Sequence, residues 1–360
     1  MIAINSANIL KALSIPALWS NIWPILVAIL VFLIMIAIHE FGHFIAARLV
    51  GVKVNEFAIG FGPKIWSKQG KETKYALRAF PVGGFCALEG EEESSGDPRA
   101  FCNQKPWKRL VIIVAGAFFN LLLGLIIVMI ITSFSNIYAT TTVSRFTDEA
   151  VSSSYGLKQG DEIIRVDGRR IFTTYDLSYA FTGVDDGTLD IVVKRGGEKV
   201  TLNDVKFQIE TEDNISYVKV DFYVNGVERT FQSFISQSFK TTVSYARIVW
   251  FSLIDLVTGK YNISTVSGPV GVTVAISEAA KYGVADLLSI IALITINLGI
   301  FNLLPVPALD GSRAMFILIE LIFRKPVKQK YETLIHSVGL IILLLFAVII
   351  SFKDIYQLFV

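Results

Sequence analysis

The apolar run at residues 24–49 carries three ionisable side chains within five positions: His39, Glu40 and His43. About 20 apolar residues suffice for a helix to cross the hydrocarbon core of a bilayer. Ionisable groups at that depth are costly and usually functional. On a helix, His39 and His43 lie one turn apart on the same face, so both imidazoles can bind one metal ion. The HExxH pattern therefore predicts a zinc hydrolase site in the membrane, with Glu40 as the general base.

The composition is that of a membrane protein, since 53% of the 360 residues are hydrophobic and 18% are charged. The formal net charge is +2 and no long stripe of lysine and arginine occurs, which argues against a nucleic-acid partner. The two cysteines, Cys86 and Cys102, lack the CxxC spacing of a metal site, so we assign them no metal role.

Four apolar segments are long enough, or nearly so, to form spanning helices: residues 24–49, 110–132, 287–309 and 334–352. The third is interrupted near its end by Pro305 and Pro307. A shorter stretch, residues 243–257, contains Arg247 and Asp255, and we expect an amphipathic helix that lies on the membrane or against the bundle. The predicted fold is a polytopic α-helical membrane protein with about four transmembrane helices.

The distribution of basic residues predicts the orientation of these helices. Residues 51–109 contain ten lysines and arginines, and residues 311–330 contain five. Short loops rich in lysine and arginine face the cytoplasm. We therefore expect a multi-pass protein of the inner or plasma membrane, with its metal site toward the cytoplasmic side and residues 133–286 outside.

The loop after the first span contains a predicted hairpin. Residues 64–80 are typical of two short strands around Gln69 and Gly70. One interpretation is an ordinary cytoplasmic hairpin. The other is a strand edge beside the active site that pairs with an extended substrate. The residues alone leave both open.

The outer region contains a second recognisable pattern. Residues 155–171 read YGLKQGDEIIRVDGRRI, in which a glycine-rich turn precedes an alternating strand and Asp167-Gly168 forms a hairpin turn. The pattern resembles a PDZ domain of the permuted kind attached to bacterial proteases, over about residues 142–209. The resemblance implies a small β-rich domain that binds a peptide C-terminus or an extended strand. A steric filter that excludes bulky outer domains is the alternative.

Catalytic zinc sites keep three protein ligands, so a third is required. His336 is the only other histidine. Asp310 follows the proline-broken segment NLLPVPALDG, residues 302–311. Irregular backbone at membrane depth is tolerated where it lines a site, which favours Asp310. His336 remains the second candidate.

Three features together resemble the bacterial site-2 protease family of intramembrane zinc proteases: HEFGH in the first span, NLLPVPALDG in a later one, and the PDZ-like segment between them. The resemblance covers nearly the whole chain and includes GFGP at residues 60–63, PVGGF at 81–85 and SGPVGV at 267–272. It implies one catalytic Zn²⁺ held by His39, His43 and Asp310, with Glu40 as the base.

The resemblance also implies how substrate is held. Asn120 and Asn302 match polar positions that the family uses near the substrate or its oxyanion. The hairpin would dip into the membrane and pair with substrate through Lys74, Tyr75, Ala76, Leu77 and Arg78. The sequence departs from the family in having Ala117 where proline is common, and Ser312 and Arg313 where glycine and histidine are common.

The expected organisation has four parts: a membrane part with the hairpin at 1–133, a PDZ domain at 134–230, amphipathic linker helices at 231–286 and a membrane part at 287–360. The expected function is cleavage of single-pass membrane proteins within the membrane, for example anti-sigma factors or remnant signal peptides. Two other classes stay open. A non-catalytic assembly protein would fill the fourth metal position with a protein group. A transporter would show repeated halves with paired broken helices.

Overall fold

A computed structural model describes residues 15–91, 95–212, 215–262 and 265–357. The predicted N-terminal membrane part is thus described from residue 15 onward. The helices of the described residues are α1 (Ile15–Val50), α2 (Pro106–Phe134), α3 (Thr174–Ala180), α4 (Phe231–Val257), α5 (Pro269–Tyr282), α6 (Val284–Leu303), α7 (Asp310–Phe323) and α8 (Gln329–Gln357).

The strands are β1 (Val54–Gln69), β2 (Lys74–Leu88), β3 (Ile137–Phe146), β4 (Glu162–Val166), β5 (Arg169–Arg170), β6 (Thr188–Arg195), β7 (Glu198–Lys206), β8 (Ile209–Glu212), β9 (Ile215–Val218) and β10 (Phe222–Glu228). The chain divides into two compact units, which are described separately. One comprises residues 1–124 with 266–360, and the other comprises residues 125–265.

Among the described residues, four helices are long and apolar enough to cross a membrane: Ile22–Val50, Pro106–Phe134, Val284–Leu303 and Lys330–Gln357. Their number matches the predicted four, and helices of this length and composition are those of a multi-pass membrane protein. The third span ends at Leu303, earlier than predicted, because the prolines that follow cannot continue a helix. The predicted amphipathic helix is longer than expected, since α4 begins at Phe231. It is not among the candidate spans.

Glycines bring α1 and α2 into close contact. A β-carbon added at Gly42 would lie 2.5 Å from the carbonyl oxygen of Ala115 and 3.0 Å from the α-carbon of Gly116. Small residues at a helix crossing allow two backbones to approach closely within a membrane. The crossing therefore sets α2 directly against the HExxH turn of α1.

The hairpin of β1 and β2 is confirmed, and it extends well beyond the predicted residues 64–80. The strands are antiparallel, and the backbone N–H of Gly70 donates to the carbonyl of Thr73 in the turn. Gly60, Gly62 and Gly83 have φ near +84°, a region that favours glycine. Both strands bend at these glycines. As a result, each strand contributes two separate paired segments.

The bends give the hairpin two inner and two outer segments. Phe57 pairs with Tyr75 on one side and Cys86 on the other, and Leu77 pairs with both Ile59 and Trp66. Residues 74–77 therefore have strand neighbours on both sides. Residues 84–88 pair on one side only within the described residues, so they form an edge of this sheet.

The break between α6 and α7 is built from proline and glycine. Pro305 and Pro307 follow the end of α6, and Ala308 has a φ of +72°. A β-carbon at Gly311 would lie 2.2 Å from the carbonyl oxygen of Leu304, so only glycine allows α7 to start this close to α6. One at Gly339 would lie 2.2 Å from Pro307, which shows how tightly α8 packs on the break.

The second unit is rich in β-structure, as predicted. Its main sheet has the order β10-β3-β4-β6-β7, with β5 beside β4, and β8 and β9 form a separate pair. Asp167 and Gly168 have φ of +46° and +73° and connect β4 to β5, as the sequence predicted for this turn. The buried core contains side chains from most of these strands, including Val143, Ile163 and Ile191.

Two buried carboxylates connect α4 to this β-rich unit. Asp255 on α4 accepts hydrogen bonds from the Arg169 guanidinium at 2.6 and 3.1 Å and from the Tyr179 hydroxyl at 2.8 Å. Asp176 on α3 accepts from the hydroxyl of Ser244 and from Arg247, both on α4, at 2.5 and 2.8 Å. The helix is therefore fixed to the unit by charge-assisted hydrogen bonds.

Candidate metal centre

Three side chains from two helices converge in the membrane unit. His39 and His43 lie on α1, and Asp310 is the first residue of α7. Asp310 Oδ2 is 3.0 Å from His39 Nε2 and 3.2 Å from His43 Nε2, and the two Nε2 atoms are 3.2 Å apart. The metal-binding group found among the described residues consists of these three. Of the two candidates for a third ligand, Asp310 is therefore the one that joins the histidines.

The spacing of the three atoms fits one tetrahedral ion. Nitrogen and oxygen ligands about 2.0–2.1 Å from zinc lie roughly 3.3 Å from one another in a tetrahedron. Asp310 Oδ2 is buried and accepts no hydrogen bond of good geometry from the described residues, although both imidazoles are close. A buried carboxylate oxygen beside two imidazole nitrogens is stabilised by a shared cation. The donor set of two histidines and one carboxylate is one that zinc accepts.

The backbone of α2 determines which nitrogen of His43 faces the metal position. His43 Nδ1 lies 2.8 Å from the carbonyl oxygen of Ile112, an atom that can only accept. Nδ1 therefore carries the proton and leaves the lone pair on Nε2 for a metal. A β-carbon at Gly116 would lie 2.4 Å from that Nε2, so glycine provides the space beside the ligand.

Asn120 is fully buried on α2, and its carboxamide lies against His39. Its Nδ2 is 3.2 Å from His39 Nδ1, and its Oδ1 is buried with no hydrogen-bond partner in the part of the chain that the structure describes. When Nε2 of a histidine binds a metal, Nδ1 carries the proton and needs an acceptor. If the carboxamide is turned so that Oδ1 faces His39, the Nδ1–H of His39 gains an acceptor and Oδ1 gains a hydrogen-bond partner. This contact makes Asn120 an orienting residue for a ligand.

His336 contacts the helix break instead of the metal position. Its Nδ1 accepts a hydrogen bond from the backbone N–H of Ala308 at 3.3 Å, and its Nε2 is 3.4 Å from Ser312 Oγ. The imidazole therefore satisfies the backbone next to Asp310. It supports the ligand-bearing segment from α8 and is not a member of the metal-binding group.

Glu40 follows the first ligand directly and is half-buried beside the metal position. It lines a cavity of about 890 Å³ together with His39, His43 and Asp310. A β-carbon at Gly84 would lie 3.3 Å from Glu40 Cγ, so strand β2 passes close over this carboxylate. A water molecule between Glu40 and the ligands would have a base within reach.

The edge of the hairpin lines the same cavity. Phe85, Cys86, Ala87 and Leu88 are lining residues, and they belong to the edge segment of β2. The predicted substrate-pairing residues are not among those that line it. Lys74, Tyr75, Ala76 and Leu77 are paired on both sides, and Arg78 is held by Glu56 and by the carbonyl of Gly62. The available edge near the metal position is therefore ten residues further along β2 than predicted.

Asn302 lies in the last turn of α6 and is half-buried. Among the described residues, no hydrogen bond joins it to the metal-binding group. Sequence reasoning missed Asn297 on the same helix, whose side-chain oxygen is buried and has no hydrogen-bond partner among the described residues. The signal available for it was a carboxamide side chain within a strongly apolar span.

Sequence reasoning also missed the small residues that shape the centre. Gly42 and Gly116 allow the close approach of α1 and α2, and Gly311 allows that of α7 to α6. The clustering of Ala115, Gly116 and Ala117 in a spanning segment was an available signal, because small residues mark helix contacts in membranes.

The site and its surroundings define a class of protein: a membrane metalloenzyme with a histidine–histidine–carboxylate centre, an adjacent glutamate and a strand edge in one cavity. Comparison with known sequences is consistent with this. The model of peptidase family M50 matches residues 27–346. The chain belongs to this family, the site-2 protease family, and is a zinc metalloprotease.

Similar proteins extend over nearly the whole chain. One from Clostridium perfringens is 36% identical over 335 residues, which cover 92% of this chain and 98% of the relative. Relatives from Clostridium acetobutylicum and Fusobacterium nucleatum are 35% and 33% identical, and each alignment covers 93% of this chain and at least 98% of the relative. All three carry the name "Putative zinc metalloprotease".

Proposed function

We propose that this protein cleaves transmembrane segments of single-pass membrane proteins within the bilayer, as in regulated intramembrane proteolysis. The observation that supports this most is the combination of three ligands, Glu40 and the free edge of β2 in one cavity of a multi-pass membrane unit. Among the described residues the metal-binding group has three members, which leaves a fourth position for a reacting molecule. This argues against the alternative of an inert structural metal.

Peptide hydrolysis in a helix requires local unwinding, which frees backbone N–H and C=O groups that have no water to bind. The edge of β2, residues 85–88, would pair with such an unwound segment and satisfy these groups. The edge is close to Glu40, so a paired segment would present its scissile bond near the base. We therefore propose residues 85–88, instead of residues 74–78, as the substrate-pairing strand.

Zinc, when bound, lowers the pKa of a water molecule toward neutrality and polarises the scissile carbonyl. Glu40 would accept a proton from the attacking water and deliver it to the leaving amine. Asn120 keeps His39 in the tautomer that presents Nε2, and Ile112 does the same for His43. We keep Asn302 as the candidate donor to the oxyanion, because Asn120 is occupied by His39.

We further propose that the centre lies toward the cytoplasmic side and that the β-rich unit is outside, as the basic loops indicate. The β-rich unit would act as a PDZ domain, binding a peptide C-terminus or an extended strand of the substrate. Substrates already shortened on the outer side, such as anti-sigma factors or remnant signal peptides, fit this arrangement.

The experiment is a cleavage assay on a model transmembrane helix with detergent-purified protein, with and without a chelator. Glu40→Gln should keep about one zinc per chain and lose about 10²–10⁴-fold in kcat. Glu72→Gln makes the same chemical change at an exposed ion pair outside the cavity, and it should leave the zinc content and kcat unchanged. A fully active Glu40→Gln enzyme, or cleavage that persists without metal, would refute the proposal.

A further inference from the structure

A second cavity lies next to the one that contains the metal position. Its volume is about 790 Å³, within the range of ordinary ligand-binding sites. It is lined mainly by α7, α8 and residues 101–109, with apolar side chains such as Phe316 and Leu340 facing polar ones such as Glu332. Glu91, Asp310 and Arg313 line both cavities, so the two spaces meet at these residues.

An ion pair stands where the cavities meet. Arg313 Nη1 contacts Glu91 Oε1, and both side chains are half-buried. Arg313 is three residues after Asp310 on α7, so it lies on the same face of that helix as the ligand. Glu91 is placed by Gly90, whose φ is +66° and where a β-carbon would lie 2.8 Å from Ala100. Helix α7 thus positions Arg313, and the backbone at Gly90 positions Glu91.

The charges of the second cavity do not cancel. Arg109 binds Glu320 through two contacts of 2.6 Å, and Arg313 binds Glu91. Glu332, at the start of α8, also lines the cavity and forms no ion pair with the described residues. Arg313 and Arg109 act on Glu332 only at longer range, so the cavity has more carboxylates than guanidinium groups and carries a negative charge.

A polypeptide held at the metal centre must continue beyond the scissile bond. The second cavity is the adjoining space, and its mixed lining suits a segment that leaves the apolar core of the bilayer. Such flanks of membrane proteins are rich in lysine and arginine on the cytoplasmic side. A basic side chain there would give Glu332 the direct ion-pair partner that it does not have among the described residues.

We propose that the second cavity is a substrate subsite for the polypeptide flank, that Glu332 selects a lysine or arginine in it, and that the Glu91–Arg313 pair forms its entrance. This inference rests on the proposed function.

The first test needs no turnover. In the Glu40→Gln protein, Phe316→p-benzoylphenylalanine places a photo-reactive group in the second cavity. Irradiation with a bound transmembrane substrate should cross-link its flank, and mass spectrometry should locate the link on one side of the scissile bond. The same group at Tyr282, an exposed residue outside both cavities, is the control. Equal cross-linking from both positions, or none from residue 316, would overturn the proposal.

The second test compares substrates that differ only by lysine or glutamine in that flank. Wild type should show an about tenfold lower KM for lysine with similar kcat, and Glu332→Gln should remove the preference. Glu91→Gln removes the carboxylate that neutralises Arg313, so the preference for lysine should weaken. Arg313→Gln removes the positive charge and should strengthen that preference. The double variant should return it toward wild type, and Glu72→Gln should not change it. A purely structural role would instead lower zinc content or kcat for both substrates.

The outcomes separate the two proposals. If wild type cleaves neither substrate, the proposed function itself fails. If it cleaves both with equal KM, and Glu332→Gln changes nothing, the function stands and the subsite is wrong.

Discussion

Gly116 of α2 faces His43 of α1 so closely that a β-carbon at residue 116 would lie 2.4 Å from the ligand nitrogen Nε2. The same atom would lie 2.8 Å from Cε1 of His39. We expect Gly116→Ala to displace both imidazoles and to weaken zinc binding by more than about 100-fold. Metal analysis of purified protein measures this. Gly96→Ala is the matched control, because among the described residues the added carbon meets no atom within 4 Å beyond its own chain neighbours.

Asn120 offers a test of ligand orientation. Asn120→Leu removes the acceptor for His39 Nδ1 and should weaken zinc binding by about 10–100-fold. Asn120→Asp keeps an acceptor at the same place and should retain most of the affinity. Competition with a chromogenic chelator gives both values. If the two variants bind zinc equally well, Asn120 does not act through His39.

Variants of Asp310 and His336 should distinguish a metal ligand from a residue that only supports the ligand-bearing segment. Asp310→Ala should lose zinc, because it removes one of three ligands. His336→Ala should keep about one zinc per chain but lose about 1–3 kcal/mol of stability, since the N–H of Ala308 loses its acceptor. Metal content and thermal unfolding in detergent distinguish them. Zinc loss in His336→Ala with zinc retained in Asp310→Ala would reverse the assignment.

Asp255 is expected to contribute to the stability of the β-rich unit. Asp255→Ala leaves the guanidinium of Arg169 without its partner, and breaking a buried pair of this kind costs about 3–5 kcal/mol. Pulse proteolysis in urea, with fragments of residues 125–265 followed, measures the loss. Glu210→Gln breaks an exposed pair with Lys219 in the same unit and should cost less than about 1 kcal/mol.

The sequence was most informative where a local pattern has one physical solution. Long apolar runs predicted the spans, and the i, i+4 spacing of His39 and His43 predicted a shared metal position. Asp310 was predictable because proline-broken backbone at membrane depth needs a site to line. The Asp167-Gly168 turn was predictable because a two-residue hairpin connection requires positive φ.

What the sequence did not reveal depends on contacts between distant residues. The strand pattern indicated a hairpin, but only the bends at its glycines decide that residues 74–77 lie inside the sheet and residues 84–88 at its edge. The roles of Asn120 and His336 follow from contacts 81 and 28 residues away in sequence. Short-range patterns carry no information on such pairs.

The open edge at residues 85–88 also has a pharmacological consequence. A short extended peptide that carries a zinc-binding headgroup should inhibit the enzyme by occupying that edge and the metal together. Successive main-chain N–H groups of a strand point to opposite sides. N-methylation of the amides that face the edge should therefore abolish inhibition, whereas N-methylation of the alternate amides should spare it.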